Sequence, residues 1–171
     1  MTMLTVDVGH DSSHEYVTGI SVGEIIRNVH GKKSGAVAAT VDGVQVDLYH
    51  EIHSDCTVLP ILNSSDEGLY ILRHSCAHLL AQAVLEFFPN AKPTIGPPIE
   101  HGFYYDFHMP APSEEQLRSI EKRMKELVKQ NIKIEREEYD IETLRQMFAD
   151  NQFKIEIMDE KIGEGSGSSV Y

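Results

Sequence analysis

The first third of the chain alternates apolar and polar residues in short runs. Residues 4–8 (LTVDV) have the two-residue period of a strand with one buried face, and residues 15–17 predict a return strand. Further on, residues 36–41 and 44–48 flank Asp42-Gly43, a dipeptide typical of two-residue hairpin turns. These spacings predict a sheet built from short strands.

One helix interrupts this strand pattern. Ser21 precedes residues 22–29, and Glu24 occupies the third helical position, which is the arrangement of a capping box. A last apolar strand is predicted at residues 57–62. The order of two strands, one helix and then further strands in about 60 residues favours an α+β layer pair.

A polar segment at residues 63–68 (NSSDEG) separates this half from one that is rich in helices. There, Ser64 and Glu67 suggest a second capping box, and apolar residues recur at three- and four-residue steps from Leu69 to Phe87, which predicts a helix of about five turns. Later elements are an aromatic strand at 102–107, a helix opened by Ser113, a short helix at 141–148 and a strand at 153–157. The predicted domains are therefore residues 1–62 and residues 63–171.

Composition narrows the class of protein. The chain has 171 residues, of which 41% are hydrophobic and 25% charged, as in folded globular proteins. Without an apolar run of membrane-spanning length or a signal-like start, and with only Cys56 and Cys76, we expect a cytoplasmic protein with reduced thiols and no membrane partner. The net charge of −12 argues against a broad basic face for nucleic acid, so any RNA contact has to be local.

The first candidate for chemistry is a pair of histidines, His74 and His78. Residues four apart lie on one face of a helix, so both imidazoles are predicted to face the same place, at the edge of the apolar stripe. They could bind a metal, act as a base with an orienting group, or be ordinary surface histidines. Cys76 lies about 200° around the helix from each of them, so a zinc site within this chain would be incomplete.

Two more candidates come from predicted strands. Phe103, Tyr105 and Phe107 share one face of the aromatic strand, where Tyr105 is either a core residue or a hydroxyl offered to a ligand. Lys154 faces away from Phe153 and Ile155 in the predicted last strand, and an outward lysine in such a position is usually solvated. Periodicity leaves these alternatives open.

The strings RHSCAHLLA at 73–81 and IGPPIEHGFYYD at 95–106, in this order and separation, closely resemble the bacterial and eukaryotic type of threonyl-tRNA synthetase. The resemblance extends over essentially the whole chain and implies its amino-terminal part. Residues 1–62 resemble the TGS domain, which has the ubiquitin-like β-grasp fold. Residues 63–171 resemble the editing domain, an α+β domain that hydrolyses mischarged seryl-tRNA(Thr) and also occurs in alanyl-tRNA synthetases.

The resemblance also implies roles for residues. His74 would activate or position the attacking water, His78 would orient the substrate or assist proton transfer, and Lys154 would help to hold the substrate. Tyr105 would lie near the terminal adenosine of tRNA and the amino acid. The histidine pair of this family works without a bound metal, so no metal ligand and no cofactor are expected in this chain.

Other properties of the family are expected beyond Tyr171. Full members continue with an Asp-x-Cys-x-x-x-His segment that completes the editing pocket, then with a catalytic core that uses ATP, magnesium and a zinc ion and forms a homodimer. A chain without them is expected to bind the acceptor end of tRNA(Thr), to edit poorly by itself and to be unable to make threonyl-tRNA. Two alternatives remain: a non-catalytic β-grasp module that binds RNA or protein, and a metal-dependent hydrolase that uses His74 and His78.

Overall fold

The computed structural model describes residues 2–9, 12–132, 137–161 and 167–170; for residue 161 and residues 167–170 it describes only the backbone. The chain divides into two compact units, Met1–Arg73 and His74–Tyr171. This division falls inside a helix, whereas the boundary predicted from the sequence lies at residues 62 and 63. The assignment of 1–62 and 63–171 as domains stays a prediction.

In its described residues, the first unit contains a mixed sheet of five strands, one helix packed on it and the start of a second helix. Its elements are β1 (Met3–Val8), β2 (Ser13–Val17), β3 (Ile20–Ser21), α1 (Val22–His30), β4 (Ala36–Val41), β5 (Val44–Val46), β6 (Glu51–Ile52) and β7 (Cys56–Leu62). The sheet order is β2-β1-β7-β4-β5, in which β1 and β7 are parallel and the other pairs antiparallel; β3 and β6 form a separate short pair. The predicted α+β class is therefore confirmed, with a mixed sheet.

The core of this unit lies between α1 and one face of the sheet. Alternate residues of β1 are buried, and Val6 and Ile25 are both 0% exposed within one apolar cluster. Burying a side chain of this size stabilises the fold by about 1.5–3 kcal/mol. The predicted capping box of α1 is present, because Ser21 and Glu24 bond to each other's backbone N–H.

The hairpin between β4 and β5 turns at the predicted dipeptide. Asp42 and Gly43 both have positive φ, 49° and 84°, as a type I′ turn requires. This turn returns the chain so that Val41 and Val44 are partners across the two strands.

The second unit carries most of the helices. Its elements are α2 (Asp66–Phe87, which begins in the first unit), β8 (Lys92–Pro93), β9 (Pro98–Ile99), β10 (Gly102–Phe103), β11 (Phe107–His108), α3 (Glu114–Gln130), β12 (Glu137–Asp140), α4 (Ile141–Met147), α5 (Gln152–Lys161) and β13 (Gly167–Val170). In the described part of the chain, no helix is both long enough and apolar enough to cross a bilayer.

Two apolar clusters stabilise this unit. Ala83 and Val84 of α2 pack with Ile120 and Leu127 of α3, and the carboxylate of Glu86 accepts hydrogen bonds from the Arg123 guanidinium. A separate cluster contains buried residues of α4 and α5, namely Ile141, Leu144 and Met158. As a result, α2 and α5 each have packing partners that fix their orientation within the unit.

Residues 92–108 form an irregular hairpin. Pro93 pairs with Phe107 and Pro98 pairs with Phe103, so four residues on the first strand oppose three on the second. Between these pairs, the N–H of Asp106 donates to the Ile95 carbonyl at 2.9 Å. The predicted aromatic strand is therefore two short strands, β10 and β11, joined by an extended segment that contains Tyr105.

Candidate active site

Helix α2 presents the two candidate histidines. It begins after Ser65, whose hydroxyl accepts a hydrogen bond from the Gly68 N–H at 3.0 Å, so the capping residue is Ser65 and not the predicted Ser64. The most buried side chains of its second half include Ala77, which lies between the histidines. His74 is exposed and His78 is half-buried, in agreement with the predicted position at the edge of the buried face.

The two imidazoles are in direct contact. The Nε2 atoms of His74 and His78 lie 3.1 Å apart, and the rings meet edge to face with centroids 4.7 Å apart. A hydrogen bond at this distance needs one nitrogen that carries hydrogen and one with a free lone pair. Because two imidazolium rings offer no such lone pair, at least one ring of the contacting pair is neutral.

Burial and nearby positive charge disfavour protonation of His78. Its pKa is lowered first by burial, then by the positive charge of His74 and then by that of Lys154. At neutral pH the imidazole of His78 is therefore uncharged and able to accept a proton.

Lys154, in α5, acts on this pair through its charge. The sequence predicted a strand here, and that prediction is wrong: residues 152–161 form a helix, in which Lys154 is half-buried. Burial lowers the pKa of its ammonium group, and its charge contributes to the lowered pKa of His78. The charge of Lys154 thus acts on His78, which contacts His74, although Lys154 is 76 residues away from His78 along the chain.

Tyr105 lies in the irregular hairpin. It is half-buried like Phe103 and Phe107, whereas Tyr104 and Asp106 are exposed, so the predicted alternation of faces is confirmed. Its ring stacks on Phe107 with centroids 4.6 Å apart and 25° between planes. Burial raises the pKa of the Tyr105 hydroxyl, which keeps the group protonated and able to donate a hydrogen bond. Tyr105 is connected to α5 indirectly. It stacks on Phe107 of β11, β11 pairs with β8, and β8 contacts α5.

Among the described residues, no group of three or more His, Cys, Asp or Glu side chains is arranged to hold a metal ion.

Comparison with curated proteins places the sequence. It is 41% identical over 173 residues to the threonine–tRNA ligase of Streptomyces griseus, covering 99% of this chain and 25% of that protein. It is 37% identical over 174 residues to the threonine–tRNA ligase of Symbiobacterium thermophilum, covering 99% of this chain and 27% of that protein. The threonine–tRNA ligase of Thermoplasma acidophilum is 44% identical over 140 residues, which cover 82% of this chain and 21% of that protein.

The chain belongs to the threonine–tRNA ligase family. It spans about a quarter of the length of these curated relatives. No protein-family model matches it.

Two residues beside Lys154 and Tyr105 were not predicted from the sequence. Asn151 is buried and bonds both to the start of α5 and to the Pro93 carbonyl, and Gly96 lies directly against the ring of Tyr105. A helical interpretation of residues 152–161 would have suggested Asn151, because asparagine is a favoured capping residue. Nothing in the pattern around Gly96 indicates its aromatic neighbour. The catalytic and binding roles of His74, His78, Lys154 and Tyr105 stay predictions.

Proposed function

We propose that this chain is the amino-terminal region of a threonine–tRNA ligase and that its second half hydrolyses seryl-tRNA(Thr). In this proposal residues 1–62 are a β-grasp TGS domain and residues 63–171 contribute an editing domain. The charging of tRNA(Thr) with threonine and ATP belongs to the part of the ligase that this chain does not span. The match to threonine–tRNA ligases over 99% of the chain supports the assignment.

The first unit supports the β-grasp assignment through its topology. A mixed sheet with a parallel pair at β1 and β7 packs one helix, α1, against one face, with a hairpin at each edge of the sheet. This is the arrangement expected of a ubiquitin-like domain. Its role in the ligase is contact with RNA or with other parts of the enzyme. Any contact with RNA is local, because a net charge of −12 argues against a broad basic face for nucleic acid.

A hydrolytic site answers a physical limit on substrate selection. Serine lacks one methyl group of threonine, and a single methylene or methyl group gives only about 1–3 kcal/mol of discrimination in a binding pocket. Serine is therefore attached to tRNA(Thr) at a frequency that translation does not tolerate. A second site that admits serine, excludes the additional methyl group and cleaves the ester removes the error.

The geometry of the histidine pair supports this chemistry. His74 positions a water molecule against the ester carbonyl, and the water loses a proton as its oxygen bonds to the carbonyl carbon. The neutral His78 ring, 3.1 Å from His74, receives that proton through the pair. When the ester C–O bond breaks, the proton moves to the ribose oxygen, and free serine and tRNA leave.

Lys154 and Tyr105 hold the substrate in this proposal. The ammonium of Lys154 lies close enough to His78 to change its pKa and attracts the negative oxygen that develops on the ester. Tyr105 supplies a protonated hydroxyl near the terminal adenosine. The observation that carries the proposal is the contact between His74 and His78 with the Lys154 charge beside it.

A chimeric ligase tests the proposal. This chain replaces the corresponding quarter of the Streptomyces griseus ligase, and the release of labelled serine from seryl-tRNA(Thr) is measured beside threonylation. We expect the His74→Ala chimera to threonylate tRNA normally, to lose at least 100-fold in serine release and to accumulate seryl-tRNA(Thr). His30→Ala, which removes an exposed histidine of the first unit, is the matched control and leaves both rates unchanged. Serine release by His74→Ala at the rate of the unmodified chimera would refute the proposal.

A further inference from the structure

Asn151 is an unusual residue of the second unit. It is 8% exposed and is the single polar side chain among the buried residues of the described chain. Its side-chain amide donates from Nδ2 to the Pro93 carbonyl oxygen at 2.8 Å, across 58 residues of sequence. Its Oδ1 accepts from the Lys154 N–H at 3.4 Å. A buried amide with both ends bonded is costly to disturb, because a lost partner leaves a polar group unsatisfied.

The acceptor end of this amide organises the start of α5. Asn151 directly precedes the helix, and its backbone carbonyl accepts from the N–H groups of Lys154 and Ile155 at 3.0 and 3.2 Å. The Lys154 N–H is thus shared between the backbone and side-chain oxygens of Asn151. Asn151 therefore caps the first turn of α5, which contains Lys154.

The donor end connects α5 to the hairpin. Pro93, whose carbonyl it reaches, pairs with Phe107, and Phe107 stacks on Tyr105. The ring of His108, the next residue of β11, also lies 5.3 Å from that of Phe153 in α5. A continuous set of contacts therefore runs from Lys154 through Asn151 and Pro93 to Tyr105.

We propose that Asn151 is a positioning residue, which fixes α5 against the hairpin that contains Tyr105 and so keeps the charge of Lys154 near His78. The inference rests on the proposed hydrolysis of seryl-tRNA(Thr) for its consequence in catalysis. The effect of Asn151 on the position of α5 is independent of that activity.

The chemistry of the site selects asparagine. Its amide offers an acceptor to the helix and a donor to Pro93 without placing a charge in the interior. Aspartate would direct a carboxylate oxygen at the Pro93 carbonyl oxygen, and both atoms are acceptors. Serine caps a helix about as well as asparagine, but its side chain is too short to reach Pro93. Asn151→Ser therefore removes the connection to the hairpin and retains the cap.

The test uses the 171-residue chain with labelled lysine side chains and NMR titration. We expect the pKa of Lys154, which burial lowers in the native chain, to rise toward that of an exposed lysine in Asn151→Ser. Ser113→Ala is the matched control, because it removes a helix cap from α3 in the same unit and leaves the pKa of Lys154 unchanged. A folded Asn151→Ser chain with an unchanged Lys154 pKa overturns the proposal.

A second measurement needs no variant. In the native chain the Nδ2 hydrogens of Asn151 are expected to exchange with solvent at least 100-fold more slowly than those of the exposed Asn90. Equal exchange rates would also overturn the proposal, even if Asn151→Ser did not fold.

The chimeric ligase links position to catalysis. Asn151→Ser is expected to lower kcat for serine release about tenfold while threonylation is unchanged, and Ser113→Ala is expected to lower neither. An unchanged kcat in a chimera that releases serine contradicts the positioning role. If the unmodified chimera releases no serine, the proposed function fails, while the Lys154 titration still decides the structural role of Asn151.

Discussion

Replacing Gly96 with alanine would disturb the hairpin at Tyr105. An added Cβ would lie 2.3 Å from Cδ2 of Tyr105 and 2.7 Å from both Cγ and Cε2, whereas ordinary contacts of a Cβ begin at 3.4 Å. The difference for the nearest atom is about 1.1 Å, so the ring has to move by about that distance. These three atoms lie at the side of the ring nearest the backbone of Tyr105. A small rotation that moves mainly the hydroxyl end of the ring therefore does not remove the overlap.

The loss of stability in Gly96→Ala has two sources, the overlap at Tyr105 and the weakened stack of Tyr105 on Phe107. Overpacking of this kind costs about 1–3 kcal/mol, and the stack of Tyr105 on Phe107 contributes roughly 0.5–1.5 kcal/mol. We expect Gly96→Ala to lower the free energy of unfolding of the second unit by about 2 kcal/mol.

A double-mutant cycle isolates the contact. Urea unfolding is followed by NMR signals of the second unit for the native chain, Gly96→Ala, Tyr105→Ala and the double variant. Because Tyr105→Ala removes the obstructing ring, Gly96→Ala should cost less than about 0.5 kcal/mol in that background. Equal costs in both backgrounds would show that Gly96 is not packed against Tyr105.

Two further predictions concern pH and backbone conformation. The pKa of His78 is lower in the folded chain than in the unfolded chain, so its contribution to the free energy of unfolding is fully present above about pH 6.5 and is lost as the pH falls through the folded pKa. Urea unfolding across this range should show a free energy of unfolding that decreases with falling pH in the native chain, and this decrease should be absent in His78→Gln. Gly43→Ala should lower the free energy of unfolding of the first unit by about 1–2 kcal/mol, because φ is 84° at this position. Urea unfolding followed at α1 measures this loss, and an unchanged free energy of unfolding would show that the turn does not need a positive φ at residue 43.

Local rules account for much of the fold. The Ser21 capping box, the Asp42-Gly43 turn and the helix α2 each depend on residues close in sequence, and each is present as predicted, although Leu72 and Phe87 of the predicted apolar stripe are exposed. The histidine contact is local for the same reason, since His74 and His78 are one helical turn apart.

The error at α5 has a physical cause in its packing. Phe153 contacts the hairpin through His108, while Ile155 and Met158 pack toward α4, so the helix is enclosed on more than one side. An enclosed helix has no single apolar stripe, and its apolar residues then imitate the alternation of a strand. The tertiary contacts that decide between these structures are absent from the local pattern.

The position of Lys154 was likewise beyond local reasoning. Its distance from His78 in the sequence is 76 residues, and the buried amide of Asn151 that orients α5 bonds to a residue 58 positions away. Only the resemblance to threonyl-tRNA synthetases indicated that Lys154 belongs with the histidines.

The central claim is that His74, His78 and Lys154 form one site, and the pKa of His78 tests it most directly. NMR titration of the histidine ring signals should give a His78 pKa below that of an exposed histidine in the native chain. In Lys154→Met, which keeps most of the side chain and removes its charge, this pKa should rise but stay below the ordinary value, because burial is the larger cause. The control Lys125→Met, on the exposed side of α3, should leave it unchanged. A His78 pKa that is the same in the native chain and in Lys154→Met would contradict the claim.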